Sequence, residues 1–282
     1  MKTALQIFFL FFISLFLTTT AAAHSVNLNS GEVVHLKQLT ADLAQMQVVF
    51  VGESHDQKAH HDAQLQIIRE LHAAGAEVAI GLEMFRYDGQ DELDRWVAGK
   101  IDEADFAKIF AGHWNRWDLY RGIFVFARDN GIPMVGLNIP RKYVRKVARN
   151  GFNSLTDEER AKLPLATCNV SNKYRDFIRR TLDGHPLDGT AFDYFCQAQI
   201  LWDASMAEQL AAYQNDNPQR TVVVLAGIGH AWRHGMPEQL ERFGDFSYRV
   251  LLPEIPGRLD LNHTSADDGD YLLQGLEAGP LH

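Results

Sequence analysis

The chain has 282 residues, 46% of them hydrophobic and 22% charged, with a formal net charge of −9. This is globular composition, with enough length for one large domain or for a core domain carrying a smaller insertion. A chain so acidic is a poor partner for nucleic acid held through its phosphates. Its two cysteines exclude a cysteine-rich zinc module and, with no C-x-x-C-H, covalent c-type haem attachment.

Met1-Lys2 gives a positive start, Leu5 to Leu17 is apolar, and Ala21-Ala22-Ala23 precedes His24 as a small-residue cleavage site. Residues 1–23 therefore read as a secretory signal peptide, too short for a membrane span. The mature chain is expected to start near His24 in a periplasmic or other extracytoplasmic space. No cysteine stands at the cleavage point, so no lipid anchor is expected there. In an oxidising compartment Cys168 and Cys196 read either as one disulfide or as two unpaired core residues.

Val48–Val51 is a continuous apolar run, as in a strand buried on both faces. Gln57 to Ala74 follows as a helix with Leu65, Ile68 and Leu71 on one face, stopped at Gly75. Glu77–Phe85 is a second β-like run. Helices are predicted around Asp91–Ala98, Ala104–Phe110 and Leu119–Asp129, before a third strand at Met134–Ile139. Arg220–His230 is the most β-branched run; a short helix at Pro237–Arg242 and a strand-like Ser247–Pro253 follow. Strands alternating with helices predict an α/β fold, a parallel sheet flanked by helices.

Between the third and fourth strands the alternation breaks. Residues 140–195 read as a small inserted all-α domain, dividing a sheet domain of residues 24–139 and 196–256. Residues 257–282 read as an irregular tail. From Arg141 to Arg180 eleven Lys/Arg face four acids, so this segment is +7 and the remainder −16. A basic island in an acidic protein points to a local anion. In "RKYVRKVAR" the cations recur every three to four residues, which also fits a solvated helix face.

The predicted strands end in polar groups: Glu53, His55 and Asp56; Glu83 and Arg86; Asn138; and Gly227-Ile228-Gly229-His230. In an open parallel sheet the carboxyl ends of the strands share one edge, where crevices form. Taken singly, each group reads as a cap or a satisfied core residue; together they predict convergence. His60 and His61 follow in the first turns of the next helix, either solvated or turned toward His55. "GIGHAW" lacks the full dinucleotide fingerprint, and neither a serine esterase elbow nor an H-E-x-x-H zinc helix is present.

"VGESHD" with His60-His61, "GLEMF", "LNIPRKYVRKVARNG", "AQILWDASMA" and "VVVLAGIGHAWRHG" come in the order found in the ChaN-like haem-binding proteins of bacterial haem and iron uptake. The sequence resembles that family from about Val48 to Gly235. The resemblance implies a parallel sheet with a small helical domain and non-covalent haem held where two subunits of a homodimer meet. It implies a tyrosine on each iron, and a histidine and a lysine on the propionates. "NKYRDFIRRTLDGH" is similar to the family's tyrosine-to-histidine stretch, which nominates Tyr174 for the haem iron and His185 for a propionate; Tyr143 and Tyr194 are rivals. Lys173, Lys142 or Lys146 would be the lysine, with Arg141 among the cations nearby. An outer-membrane haem receptor is an implied partner.

Two functions compete. One is a haem-binding protein without chemistry on its ligand. The other is a hydrolase, because Glu53, His55, Glu83 and His230 resemble the site of a wider superfamily that includes erythromycin esterases and Tiki-type metal-dependent proteases. A carboxylate beside a histidine can activate water, and the set could hold a divalent metal. The basic insert favours binding.

Overall fold

The computed structural model describes residues 22–164, 171–181 and 189–282. The signal-peptide reading, Cys168 and His185 lie outside the described residues, apart from Ala22 and Ala23. No described helix is long and apolar enough to cross a membrane.

The chain opens with β1 (His24–Asn27), β2 (Val33–Val34) and α1 (Leu36–Leu43), then β3 (Val48–Glu53) and α2 (Lys58–Ala73). β4 (Val78–Arg86) leads through α3 (Gln90–Val97), α4 (Glu103–His113) and α5 (Trp117–Asp129) to β5 (Met134–Asn138). The excursion contains α6 (Arg141–Asn150), α7 (Asp157–Arg160), α8 (Asn172–Thr181) and the long α9 (Gly189–Asp216). β6 (Thr221–Gly227), α10 (Ile228–Ala231), α11 (Met236–Leu240), β7 (Tyr248–Pro253) and β8 (Tyr271–Gln274) complete the chain.

The eight strands form one sheet in the order β2-β1-β8-β7-β3-β6-β4-β5. From β8 to β5 every pairing is parallel, and β1 joins β8 and β2 antiparallel at one edge. β3 and β6 are buried along their whole length, as their unbroken apolar runs predict for strands covered on both faces. One core lies between the sheet and α1–α5; the other lies under α8, α9 and α11.

Two expectations are corrected. The tail is not irregular throughout: Tyr271–Gln274 is a strand between β7 and β1, and its alternation is too short to stand out among polar turns. Nor does the excursion keep to a core of its own. α6 and part of α9 share a small cluster of Tyr143, Val147, Leu155, Ala198 and Leu201. However, Tyr174, Phe177 and Ile178 of α8 join the core of the sheet, and Phe177 stacks on Trp232 at 3.7 Å between ring centroids.

Candidate functional site at the strand ends

β3 hands its last residue, Glu53, to the carboxyl edge of the sheet, where its side chain is buried. Three groups close on that carboxylate. His55 Nδ1 donates to Oε1 at 2.7 Å, the Tyr120 hydroxyl donates to the same oxygen at 2.5 Å, and His61 Nδ1 lies 2.7 Å from Oε2. The His61 contact is an ion pair without the alignment of a hydrogen bond. Burial opposes the charge on Glu53, but the hydrogen bond from His55 and the ion pair with His61 outweigh it and hold its pKa at about 2. Conversely, burial works against the His55 cation, while Glu53 and then Glu83 overcome it and raise its pKa to about 9.

β4 delivers Glu83 through a register shift: Leu82 pairs with Gly136, and the next pairing is Arg86 with Asn138. Four steps of β4 thus oppose two of β5, which frees the Glu83 carbonyl from the ladder. Asn138 Nδ2 takes up that carbonyl at 2.5 Å, and Trp202 Nε1 holds the Asn138 oxygen at 2.6 Å. The Glu83 carboxylate accepts from Gly227 N–H at 2.6 Å and lies 3.8 Å from His230 Nε2. A Cβ at Gly227 would stand 2.8 Å from the His55 ring, so a side chain there would push that ring from its place.

His230, on α10 just beyond the end of β6, is the third histidine held by a carboxylate. Its Nδ1 donates to Asp203 of α9 at 2.6 Å, and the other Asp203 oxygen accepts from the Tyr174 hydroxyl at 3.0 Å. Burial pushes the Asp203 carboxyl up to about 6, while Asp203 and Glu83 outweigh burial at His230 and raise its pKa. Burial, reinforced by Asp203, raises the Tyr174 phenol well above its ordinary value. The cleft over this cluster, about 480 Å³, has Ile178, Phe195, Ile228 and Ile255 on its walls and Glu53, His55 and His230 among its polar residues.

Glu53, His55, Glu83 and His230 therefore converge as the strand ends predicted. Among the described residues no group of three or more His, Cys, Asp or Glu is arranged to hold a metal ion, so a divalent metal at this edge is not supported. His61 is not solvated but built into the cluster, and His60 is buried with its Nδ1 accepting from Ser54 N–H at 2.9 Å. Burial holds His60 down at about 4 and keeps it neutral. Asp203 and Tyr120 were missed. Asp203 stands as a lone acid within "AQILWDASMA", a usable signal, whereas Tyr120 has none in its local pattern.

The insert residues divide. Tyr174 and Tyr143 are buried, whereas Tyr194 is half-buried, its ring filling the space that a Cβ at Gly151 would need. Tyr174 also borders a pocket of about 280 Å³ with Ser171, Ile200, His234 and Glu238. Lys173 pairs with Asp267 of the tail, and Lys146 with Glu159 at 2.6 Å. Arg141 lies over the Trp114 ring, which in turn meets the His55 ring at 5.2 Å. Thus the insert and the sheet edge, separate in the sequence, touch through Tyr174–Asp203–His230 and through Arg141–Trp114–His55.

The model of the family described as "Haem-binding uptake, Tiki superfamily, ChaN" matches residues 39–240, across both the strand ends and the insert. The chain belongs to this ChaN family. A ChaN structure from Campylobacter jejuni, described as binding haem cofacially, superposes with a TM-score of 0.69 at 20% identity, covering 89% of this chain and 96% of that one. It confirms the α/β fold. An erythromycin esterase in its open conformation gives a TM-score of 0.48 at 12% identity, covering 88% and 82% of the two chains. RETICULATA-RELATED 5, chloroplastic, of Arabidopsis thaliana is 24% identical over 226 residues. That match takes in 73% of this ChaN-family chain and only 31% of the plant protein.

Proposed function

We propose that this protein binds haem non-covalently in an extracytoplasmic space as part of haem uptake, with a tyrosine of the helical excursion on the iron where two copies meet. The family match across residues 39–240 carries this reading, because it includes the insert as well as the sheet edge. The chemistry of the insert agrees with it. Phenolate is a hard anionic ligand suited to ferric iron, and the basic island supplies partners for propionates. An outer-membrane receptor would deliver or collect the haem.

Tyr174 is the proposed ligand, with Lys173, Arg141 and His185 toward the propionates. In the described conformation its hydroxyl is donated to Asp203. Ligation would therefore require that bond to open and the phenol to give up its proton, to Asp203 beside it or to water, and the lost hydrogen bond would cost about 1–3 kcal/mol. Iron–phenolate bonding has to exceed that cost. The hydrolase reading is not favoured: the matching family is a haem-binding one, and the strand-end set lacks a metal-holding arrangement.

The test is a haemin titration followed at the Soret band, with mass measured in solution. The wild type is expected to give a high-spin ferric tyrosinate spectrum and to dimerise on loading. Tyr174→Phe should lose that spectrum, whereas Tyr143→Phe and Tyr194→Phe should keep it. Loss confined to Tyr194→Phe would move the ligand to the half-buried phenol, and no haemin binding by the wild type would end the reading.

A further inference from the structure

α8 presents two cations, Lys173 and Arg180, to the turn that precedes β8. They stand seven residues apart and hence on one flank of the helix. Each meets an acid of that turn: Lys173 pairs with Asp267, and Arg180 Nη2 lies 3.3 Å from Asp268. The turn itself is held from behind. Asp268 accepts from Ser265 N–H at 2.9 Å and from Ser265 Oγ at 3.2 Å, while Arg233 binds Asp270 at 2.8 Å. His234 adds a bridge, with Nε2 3.2 Å from Asp267 and Nδ1 2.7 Å from Glu238.

The two pairs differ in exposure. Asp268 is buried to 8% exposure and belongs to the turn. The Lys173 and Asp267 side chains are 48% and 50% exposed. A pair so open to water is weak and exchanges readily with another anion. It stands beside the pocket that Tyr174, Ser171 and His234 line. A carboxylate of the chain itself therefore sits on a cation of α8, joined through His234 to the lining of that pocket.

We propose that Asp267 is an internal stand-in for a ligand carboxylate: it occupies Lys173 in the ligand-free protein, and a haem propionate displaces it on binding. The inference rests on the haem reading above and adds to it a built-in competitor that sets affinity. No bond is made or broken; one carboxylate replaces another at the same ammonium group, and Asp267 turns to water and to His234. Because the competing pair is exposed, its removal is expected to tighten binding about three- to five-fold, the scale of one surface ion pair.

The experiment titrates haemin into the full chain as wild type, Asp267→Asn, Lys173→Met and the double variant, with Asp105→Asn as the control for net charge. Asp105 lies on α4, against the other core, and pairs only with the exposed Lys108 among the described residues. Asp267→Asn should bind haemin about three- to five-fold more tightly in the Lys173 background and gain nothing in the Lys173→Met background. Haemin dimethyl ester, which has no propionate charge, should show no gain in either. Lys173→Met alone should weaken haemin binding, which reads the same contact if Asp267→Asn folds poorly. Equal haemin affinity of wild type and Asp267→Asn, or an equal gain in Asp105→Asn, overturns the competitor while leaving haem binding in place. Failure of the wild type to bind haemin overturns both.

Discussion

At the scale of single residues, the strand-end site is a set of buried charges that stand only because each has a partner. Glu53 is the centre, with two imidazoles and a phenol closing on one carboxylate. Glu53→Gln should cost about 3–5 kcal/mol, as expected when one member of a buried ionic cluster is removed. The pH dependence follows from the shifts. Glu53, depressed from 4.5 to about 2, contributes stability present above its unfolded value and lost as pH falls toward 2. His55, raised from 6.5 to about 9, contributes stability present below 6.5 and lost as pH rises toward 9. The gap between wild type and Glu53→Gln in denaturant unfolding should thus be widest between pH 4.5 and 6.5 and narrow on both sides. A gap independent of pH would show that the variant loses packing and not charge pairing. Glu53, His55, Glu83 and His230 were legible as strand ends. Asp203 was marked only as a lone acid in an apolar helix, with nothing to name its partner, and Tyr120 was not legible at all, because each arrives from a helix whose facing is set by packing.

At the scale of elements, the geometry of the site depends on the β4–β5 register shift. It places Glu83 at the edge and leaves a carbonyl for Asn138. Gly136 makes that shift feasible, since a Cβ there would lie 2.5 Å from the Arg86 carbonyl oxygen. Backbone cannot swing aside as a side chain would, so Gly136→Ala must move β5 or β4. The expected result is a loss of about 1–3 kcal/mol, the usual cost of overpacking, read as a lower unfolding midpoint. An unchanged midpoint would mean that the edge relaxes freely and the register shift is not held by Gly136. The shift was not legible in the sequence: "GLEMF" reads as uninterrupted strand, and a register shift exists only relative to a neighbour.

At the scale of the whole molecule, the excursion between β5 and β6 is tied to the sheet. α8 buries Tyr174, Phe177 and Ile178 in the second core, and Tyr174 reaches His230 through Asp203. Unfolding followed by calorimetry should accordingly show one transition, with the excursion and sheet melting together. Two resolved transitions would show that the insert is an independent unit after all. The same coupling joins the two sites that the sequence kept apart, since Tyr174 and His230 share Asp203.

The alternation of β-branched runs with amphipathic helices was enough to determine the α/β class, the parallel central strands and the convergence of four polar strand ends. Those features follow from local periodicity and from the rule that parallel strands finish at one edge. Tertiary structure alone decided that Tyr174 faces Asp203, that Lys173 meets Asp267, and that β8 pairs with β7 and β1. Each is a contact between residues 20 or more positions apart, set by how helices and strands pack once the core has formed. A side chain's partner at such a distance leaves no periodic trace in its own neighbourhood, because burial selects for hydrophobicity and size far more strongly than for the identity of the group opposite.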